Sequence, residues 1–196
     1  MKQSLLLFLV CIFLSSFTVS NTDVKEYLSI PGPINFDKSS FNLAWSSNPN
    51  PNYFKQEYIP SGESVEKYNQ MILVEVVFGD ITVEEAVKAQ LNQIEQRKKT
   101  DALARYQVIE NPNTGEVIVD FLMSAGTKKA VSVVEWNAYR YKAFQDEAGR
   151  KGILLFAISK RGYDDKINSF FEILKTDRME TINQLGLYEL PVVAVK

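Results

Sequence analysis

Residues 71–98 read MILVEVVFGDITVEEAVKAQLNQIEQRK, and the fold turns on how that stretch is parsed. Met71 to Phe78 is a nearly continuous apolar run of strand length, broken only by Glu75, and reads as a central strand. Thr82 then opens a helix. Thr82 and Glu85 have the spacing of a capping box, and Val83, Val87, Leu91 and Ile94 recur on one helical face. Glu84 and Glu85 stand at the start and Arg97, Lys98 and Lys99 at the end, the arrangement that the helix dipole favours.

On the N-terminal side the pattern is of short strands. Asp23 to Ser29 reads as one, stopped by Pro31-Gly32-Pro33. Phe41, Leu43 and Trp45 alternate with polar or small residues as in a half-buried strand. Ser46 to Asn52, SSNPNPN, reads as a turn-rich loop, and Phe54, Gln56 and Tyr58 as another short strand. On the C-terminal side comes a meander. Ala104–Ile109 and Glu116–Met123 flank the turn around Pro112 and Gly115. Val131–Phe144 and Ile153–Ser159 follow after turns containing Gly126 and Gly149. A helix beginning near Asp164 presents Ile167, Phe170, Phe171 and Leu174. Asp177 with Glu180 has the spacing to cap a separate last helix ending at Gly186, and the tail PVVAV reads as a short strand. Strands joined by tight turns make an antiparallel sheet, and amphipathic helices must bury their faces on it. The expectation is an α+β domain: an antiparallel sheet of about six to seven strands with two main amphipathic helices packed on it.

This order of elements resembles the PsbP/Mog1/DcrB-like fold family. The resemblance rests on short N-terminal strands, a first helix opening with Thr82, Glu84 and Glu85, a long meander, and a closing helix in the style of Ile167 to Leu174. It implies an accessory or binding protein without chemistry of its own. No functional residue is carried over, because fold likeness alone does not give function.

The first twenty residues read as a secretory signal peptide. Lys2 gives a positive start, Leu5 to Leu14 are apolar without a break, and Thr18-Val19-Ser20 places small residues before a cleavage site. The apolar run is too short for a span of about 20 residues. Val10 before Cys11, and the apolar residues after it, do not suit a lipidation site. Residues 21–196 then form a single α+β domain with no transmembrane span.

The whole chain has 196 residues and a formal charge of −2. Loss of Lys2 with the signal would leave a mildly acidic domain, which argues against nucleic acid as a partner. The only cysteine, Cys11, leaves as well, so no disulfide is expected. There is no Asn-x-Ser/Thr acceptor either, and together these absences point to a bacterial periplasmic or extracellular protein. The chain has no histidine. That removes the Ser-His-Asp triad, and the lack of both histidine and mature cysteine removes thiol nucleophiles and the common zinc sites. No catalytic residue, cofactor or metal site is expected.

Two constellations remain as candidates. Centring the second hairpin on Thr127-Lys128 sets Asp120 opposite Glu135, with Tyr106 beside Asp120 and Lys160 near Glu135. This makes a polar stripe of Tyr106, Asp120, Glu135 and Lys160 on one face. Facing carboxylates are the raw material of acid/base chemistry; the plainer reading is a solvated sheet face with a surface ion pair. The second is Trp136, Tyr139, Arg140 and Tyr141, aromatics interleaved with cations that can form a ligand or partner surface. Strand alternation would put Trp136 and Arg140 on one face and the tyrosines on the other, where they would equally well pack under a helix. Ser124 near Lys128 and Lys129 reads as ordinary turn composition, and Asp164-Asp165 as a helix cap.

Three functions stay open. The first is a non-catalytic envelope protein that binds another envelope protein or assists an assembly. The second is a carrier of a small apolar or amphipathic ligand, with a cavity lined by Phe121, Tyr139, Phe156 and Phe170. The third is a hydrolase using Asp120 and Glu135.

Overall fold

The computed structural model describes residues 24–127 and 130–195. The segment read as an export signal lies outside the described residues. At the centre is β4 (Gln70–Phe78), buried along almost all of its length. It pairs antiparallel with β3 (Tyr53–Ile59) on one side and β8 (Lys151–Tyr163) on the other. Both of its faces are covered, which is why its sequence is apolar throughout rather than alternating.

Helix α1 (Val83–Lys98) follows β4 directly. Its Thr82 cap is made as the spacing requires: the Thr82 hydroxyl accepts from the Glu85 amide, and the Glu85 carboxylate accepts from the Thr82 amide at 2.9 Å. The helix carries the chain across one face to the far edge of the sheet. The meander of β5 (Arg105–Asn111), β6 (Glu116–Gly126), β7 (Val131–Gln145) and β8 then returns to β4. With β1 (Ile34–Phe36) and β2 (Ser39–Asn50), the sheet order is β1-β2-β3-β4-β8-β7-β6-β5.

Directly opposed residues share a face, so the register divides the sheet. Ile72, Ile158, Ala138, Asp120 and Gln107 form one row. Leu73, Ala157, Tyr139, Val119 and Val108 form the next, on the opposite face. The second face takes α1, whose Ala86, Val87 and Ile94 pack with Val119, Phe121 and Leu155. The first takes α2 (Ile167–Leu187), whose Ile182 and Leu185 pack with Trp136, Phe156 and Ile158.

At the start of α2 the helix approaches β8 very closely. A Cβ added at Gly162 would lie 2.6 Å from the Cβ of Phe170. That atom is the root of a helical side chain, so relief would require α2 itself to shift. Gly162→Ala is expected to destabilise the fold by about 1–3 kcal/mol. The check is urea unfolding, where the midpoint should fall with the slope unchanged.

The α+β class, the antiparallel sheet and the two helices match the sequence reading, but among the described residues there are eight strands rather than six to seven. The additional strand is β1, three residues paired with Ser39–Phe41, too short to show a period. Residues 24–29 are not a strand; the Tyr27 and Leu28 amides donate instead to the Gln56 side chain. The PVVAV tail is likewise not a strand, although the Ala194 amide donates to the Leu28 carbonyl. Most of SSNPNPN is strand, because β2 runs on to Asn50. Beyond Phe41 this length of β2 has no strand partner on its β1 side among the described residues, and Pro49 is tolerated on such an edge. The closing helix is one element, not two: Asp177 caps nothing and Gly186 lies within α2. Asp164 and Asp165 sit in a short 3₁₀ turn ahead of α2 without making a side-chain cap.

Candidate functional site

The polar stripe does not exist as one site. Asp120 is opposed by Ala138, and Glu135 by Met123. The β6–β7 register is irregular between Ala125 and Gly126, and Gly126 pairs with Val131, so the hairpin centres further along the chain than Thr127-Lys128. The displacement is an odd number of residues and therefore moves Glu135 to the other side of the sheet. Single-residue slips affect the remaining two. Tyr106 is opposed by Phe121, and Lys160 by Trp136. Asp120 and Lys160 thus face α2, while Tyr106 and Glu135 face α1. The two carboxylates lie on opposite faces of the sheet, so this pair does not converge as the hydrolase reading requires. Lys128 and Lys129 lie outside the described residues. Ser124 uses its hydroxyl and amide on Asp101, both at 2.6 Å.

The second constellation divides as strand alternation requires, but it is not a surface. Trp136, Arg140 and Tyr141 are all buried. Tyr139 packs edge-on against Phe121, with ring centroids 4.8 Å apart, and both tyrosines belong to the core under α1. Arg140 serves the other face. Its guanidinium holds Glu116 at 2.6 Å and donates to the carbonyls of Leu185 and Tyr188 at 2.7 and 2.8 Å. It therefore supplies partners to carbonyls at the end of α2, which the helix itself leaves free.

On the α1 face Glu135 is saturated. It accepts from Arg161 Nε at 2.5 Å, from the Tyr68 hydroxyl at 3.1 Å and from the Asn137 amide at 3.0 Å. Burial, and then the charge of Glu135, push the Tyr68 phenol well above its usual range, so it is no base for the neighbouring Ser159 hydroxyl. Nearby, Glu75 is buried beside the Tyr53 hydroxyl at 3.0 Å and Lys55 at 3.8 Å. Burial raises its carboxyl pKa, and Lys55 and Tyr53 only partly offset this.

Because the folded state favours the neutral Glu75 carboxyl, it holds that proton more tightly than the unfolded chain does. The stabilisation is complete below the ordinary value of 4.5 and is lost as pH rises through the folded value. Glu75→Gln is therefore expected to raise the melting temperature at pH 7 and to leave it unchanged at pH 4. Thermal unfolding at the two pH values is the check.

The α2 face has a cleft. Helix α2 lies over β7 and β8, and its buried residues are Thr181, Ile182 and Leu185, all in its second half. Its first half is held less deeply, by the half-buried Ile167, Phe170, Phe171 and Leu174 at the margin of the core. Between it and β5–β7 is a cleft of about 510 Å³. Asp120, 2 % exposed, forms the floor. One of its oxygens accepts from the Trp136 indole at 2.6 Å and the other from Arg178 of α2. Arg178 also reaches Gln107 of β5 at 3.2 Å. Phe171, Leu174 and Met179 form the helix wall, and Arg105 and Lys175 stand at the mouth. The cleft is open at β5, where Arg105 and Gln107 are both exposed.

Of the four aromatics expected to line a cavity, only Phe121 borders this one. Phe156 is fully buried and stacks on Tyr188 with centroids 5.0 Å apart. Phe170 covers Gly162. The residues missed from the sequence are those of the helix wall and mouth. A signal for them is present: Phe171, Leu174, Arg178, Thr181, Ile182 and Leu185 are spaced as one helical stripe. Arg178 is the single cation in it, and Asp120 is the lone acid in an apolar strand.

Among the described residues no group of three or more acidic, histidine or cysteine side chains is placed to hold a metal ion. No described helix is long and apolar enough to cross a membrane.

The chain belongs to one protein family, whose model matches residues 28–190 and so spans the sheet and both helices. No curated protein and no solved structure matches it.

Proposed function

We propose that this family member is a non-catalytic, exported binding protein of the bacterial cell envelope, and that it docks a partner protein in the cleft between α2 and the β5–β6 end of the sheet. The observation that carries the reading is the stance of α2. Its second half is fastened to the sheet by the buried Thr181, Ile182 and Leu185 and by Arg140, while Phe171 and Leu174, half-buried at the margin of the core, and the exposed Met179 line the cleft. Met179 is 51 % exposed. Side chains of this kind, grouped beside polar neighbours, mark interaction sites. The separation of Asp120 from Glu135 supports a role without chemistry. The element order shared with the PsbP/Mog1/DcrB-like group supports an accessory role, and the apolar run Leu5–Leu14 supports export.

A carrier of a small amphipathic ligand is the second reading. It is favoured by the cleft volume, which lies within the range of small-ligand sites. Such sites enclose most of their ligand, whereas this cleft opens along an edge strand, and for that reason the partner reading leads.

The test is native mass spectrometry and size-exclusion chromatography of the exported protein from gently broken cells. Under the partner reading the protein migrates in a complex heavier than its own chain. The double variant Phe171→Ser, Leu174→Ser, with its folding checked by thermal unfolding, migrates alone. A small-molecule adduct lost in that variant would replace this reading with the carrier, and an unaltered complex in the variant would overturn it.

A further inference from the structure

We infer that the cleft receives an extended acidic segment of the partner, which adds to the sheet as a new strand along β5. The inference rests on the reading of the cleft as a partner site and names what enters it.

The two edges of the sheet are built differently. An edge strand presents unpaired amides and carbonyls, and folded proteins blunt such edges with short strands, bulges and proline. The β1–β2 edge has all three. Strand β1 is three residues long, and the free length of β2 carries two register shifts and Pro49. The β5 edge has none of them. It runs seven residues in unbroken register with β6, from Arg105↔Leu122 to Asn111↔Glu116, and contains no proline or glycine. The unblunted edge is the one that borders the cleft. An edge strand beside a helix with exposed apolar side chains is the geometry of strand addition. Main-chain hydrogen bonds supply affinity there, and alternate side chains supply selectivity.

Charge selects the occupant. On the cleft side Arg105 and Lys175 stand at the mouth; Lys175 pairs with Glu172, and the deeper Arg178 is neutralised by the buried Asp120. The local excess is a single positive charge, that of Arg105, on a chain whose net charge is −2. An added strand points every second side chain into the cleft. Acidic residues there would meet Arg105, with Lys175 beside it at the mouth, and apolar ones would meet Phe171, Leu174 and Met179.

A second copy of this chain is a poor occupant. If β5 paired with itself, the cleft would receive Arg105, Gln107, Ile109 and Asn111 of the other copy, because these share the face of Asp120. None of them is acidic; Glu110 lies on the opposite face.

The probe is a fluorescent twelve-residue peptide that places alternating Asp and Leu on one strand face and Thr on the other. Its anisotropy is titrated against the full exported protein. Three comparisons are made: a peptide with Lys for Asp, the acidic peptide with alternate backbone nitrogens methylated, and the double variant Arg105→Glu, Lys175→Glu. The acidic peptide should bind at least tenfold more tightly than the Lys peptide, and its binding should weaken as salt rises. The methylated peptide should not bind, and the charge-reversed variant should prefer the Lys peptide. Equal affinity for both charges, binding that survives methylation, or no binding of the acidic peptide at about 1 mM would overturn the inference, as would a dimer of this chain mediated by β5. The two levels fail separately. A complex from cells that is lost in Phe171→Ser, Leu174→Ser but indifferent to Arg105→Glu, Lys175→Glu keeps the partner site and sinks the acidic strand. A complex indifferent to both pairs sinks the partner site.

Discussion

Trp136→Ala should unfold this protein more readily than any other single truncation on the α2 face, with a loss of about 4 kcal/mol. The indole is 1 % exposed and sits among Leu122, Ala138, Phe156 and Ile158 in the core beneath α2. Truncation forfeits the transfer free energy of the ring and leaves a cavity that a sheet residue opposed on both sides cannot collapse. It also removes the donor to Asp120, whose 2.6 Å hydrogen bond lies in a water-poor setting. Trp136→Phe separates the two contributions, since it keeps much of the packing and loses the donor. It should cost about 1–2 kcal/mol. Urea unfolding of both variants tests the ordering, and near-equal losses would mean that the hydrogen bond, not packing, dominates.

The second large effect is at Arg140. Arg140→Met should cost about 3 kcal/mol. The variant leaves Glu116 buried with only Lys142 beside it at 3.3 Å, and it strips partners from the carbonyls of Leu185 and Tyr188. Removing one member of a buried ion pair is costly because the other charge stays desolvated. Adding Glu116→Leu removes that charge and should recover part of the loss, but not all, because the two carbonyls remain without their donor. The loss should also be local. Amide exchange should rise in residues 181–188 before it rises in β4 or β8, which are sheet-paired on both sides. A uniform rise would show that Arg140 supports the whole core rather than the end of α2.

Those two residues also show what was readable in advance. The central strand, the capping box of Thr82 and Glu85, and the split of Trp136 and Arg140 from Tyr139 and Tyr141 follow from local periods, and the structure has them. Their roles did not follow. A strand of mixed aromatics and cations looks the same whether its side chains meet solvent or a helix arriving from forty or more residues away. The polar stripe failed for a different reason. Its alignment depended on the hairpin between Gly126 and Val131, where one irregular pairing sets the face of every residue beyond it. Strand β1, three residues long, carries too little pattern to be seen. The cleft was legible only in part. Arg178 is conspicuous as a cation in an apolar helical stripe, and Asp120 as an acid in an apolar strand. Their pairing spans 58 residues and needs the topology before it can be drawn. Half-buried Phe171 and Leu174 look like core residues in any sequence and do pack on its margin; only the topology shows that they also line the cleft.

The central claim is that the protein meets its partner in the cleft lined by Phe171, Leu174 and Met179 of α2. Site-specific photo-cross-linking in living cells tests it most directly. A photoreactive side chain is placed singly at Lys175 and Met179, at the mouth of the cleft, and at Glu84 and Lys88, exposed on α1 across the sheet. The account predicts one discrete heavier product from Lys175 and Met179 and none from Glu84 or Lys88. Products of equal yield from both faces, or from the α1 positions alone, would contradict it.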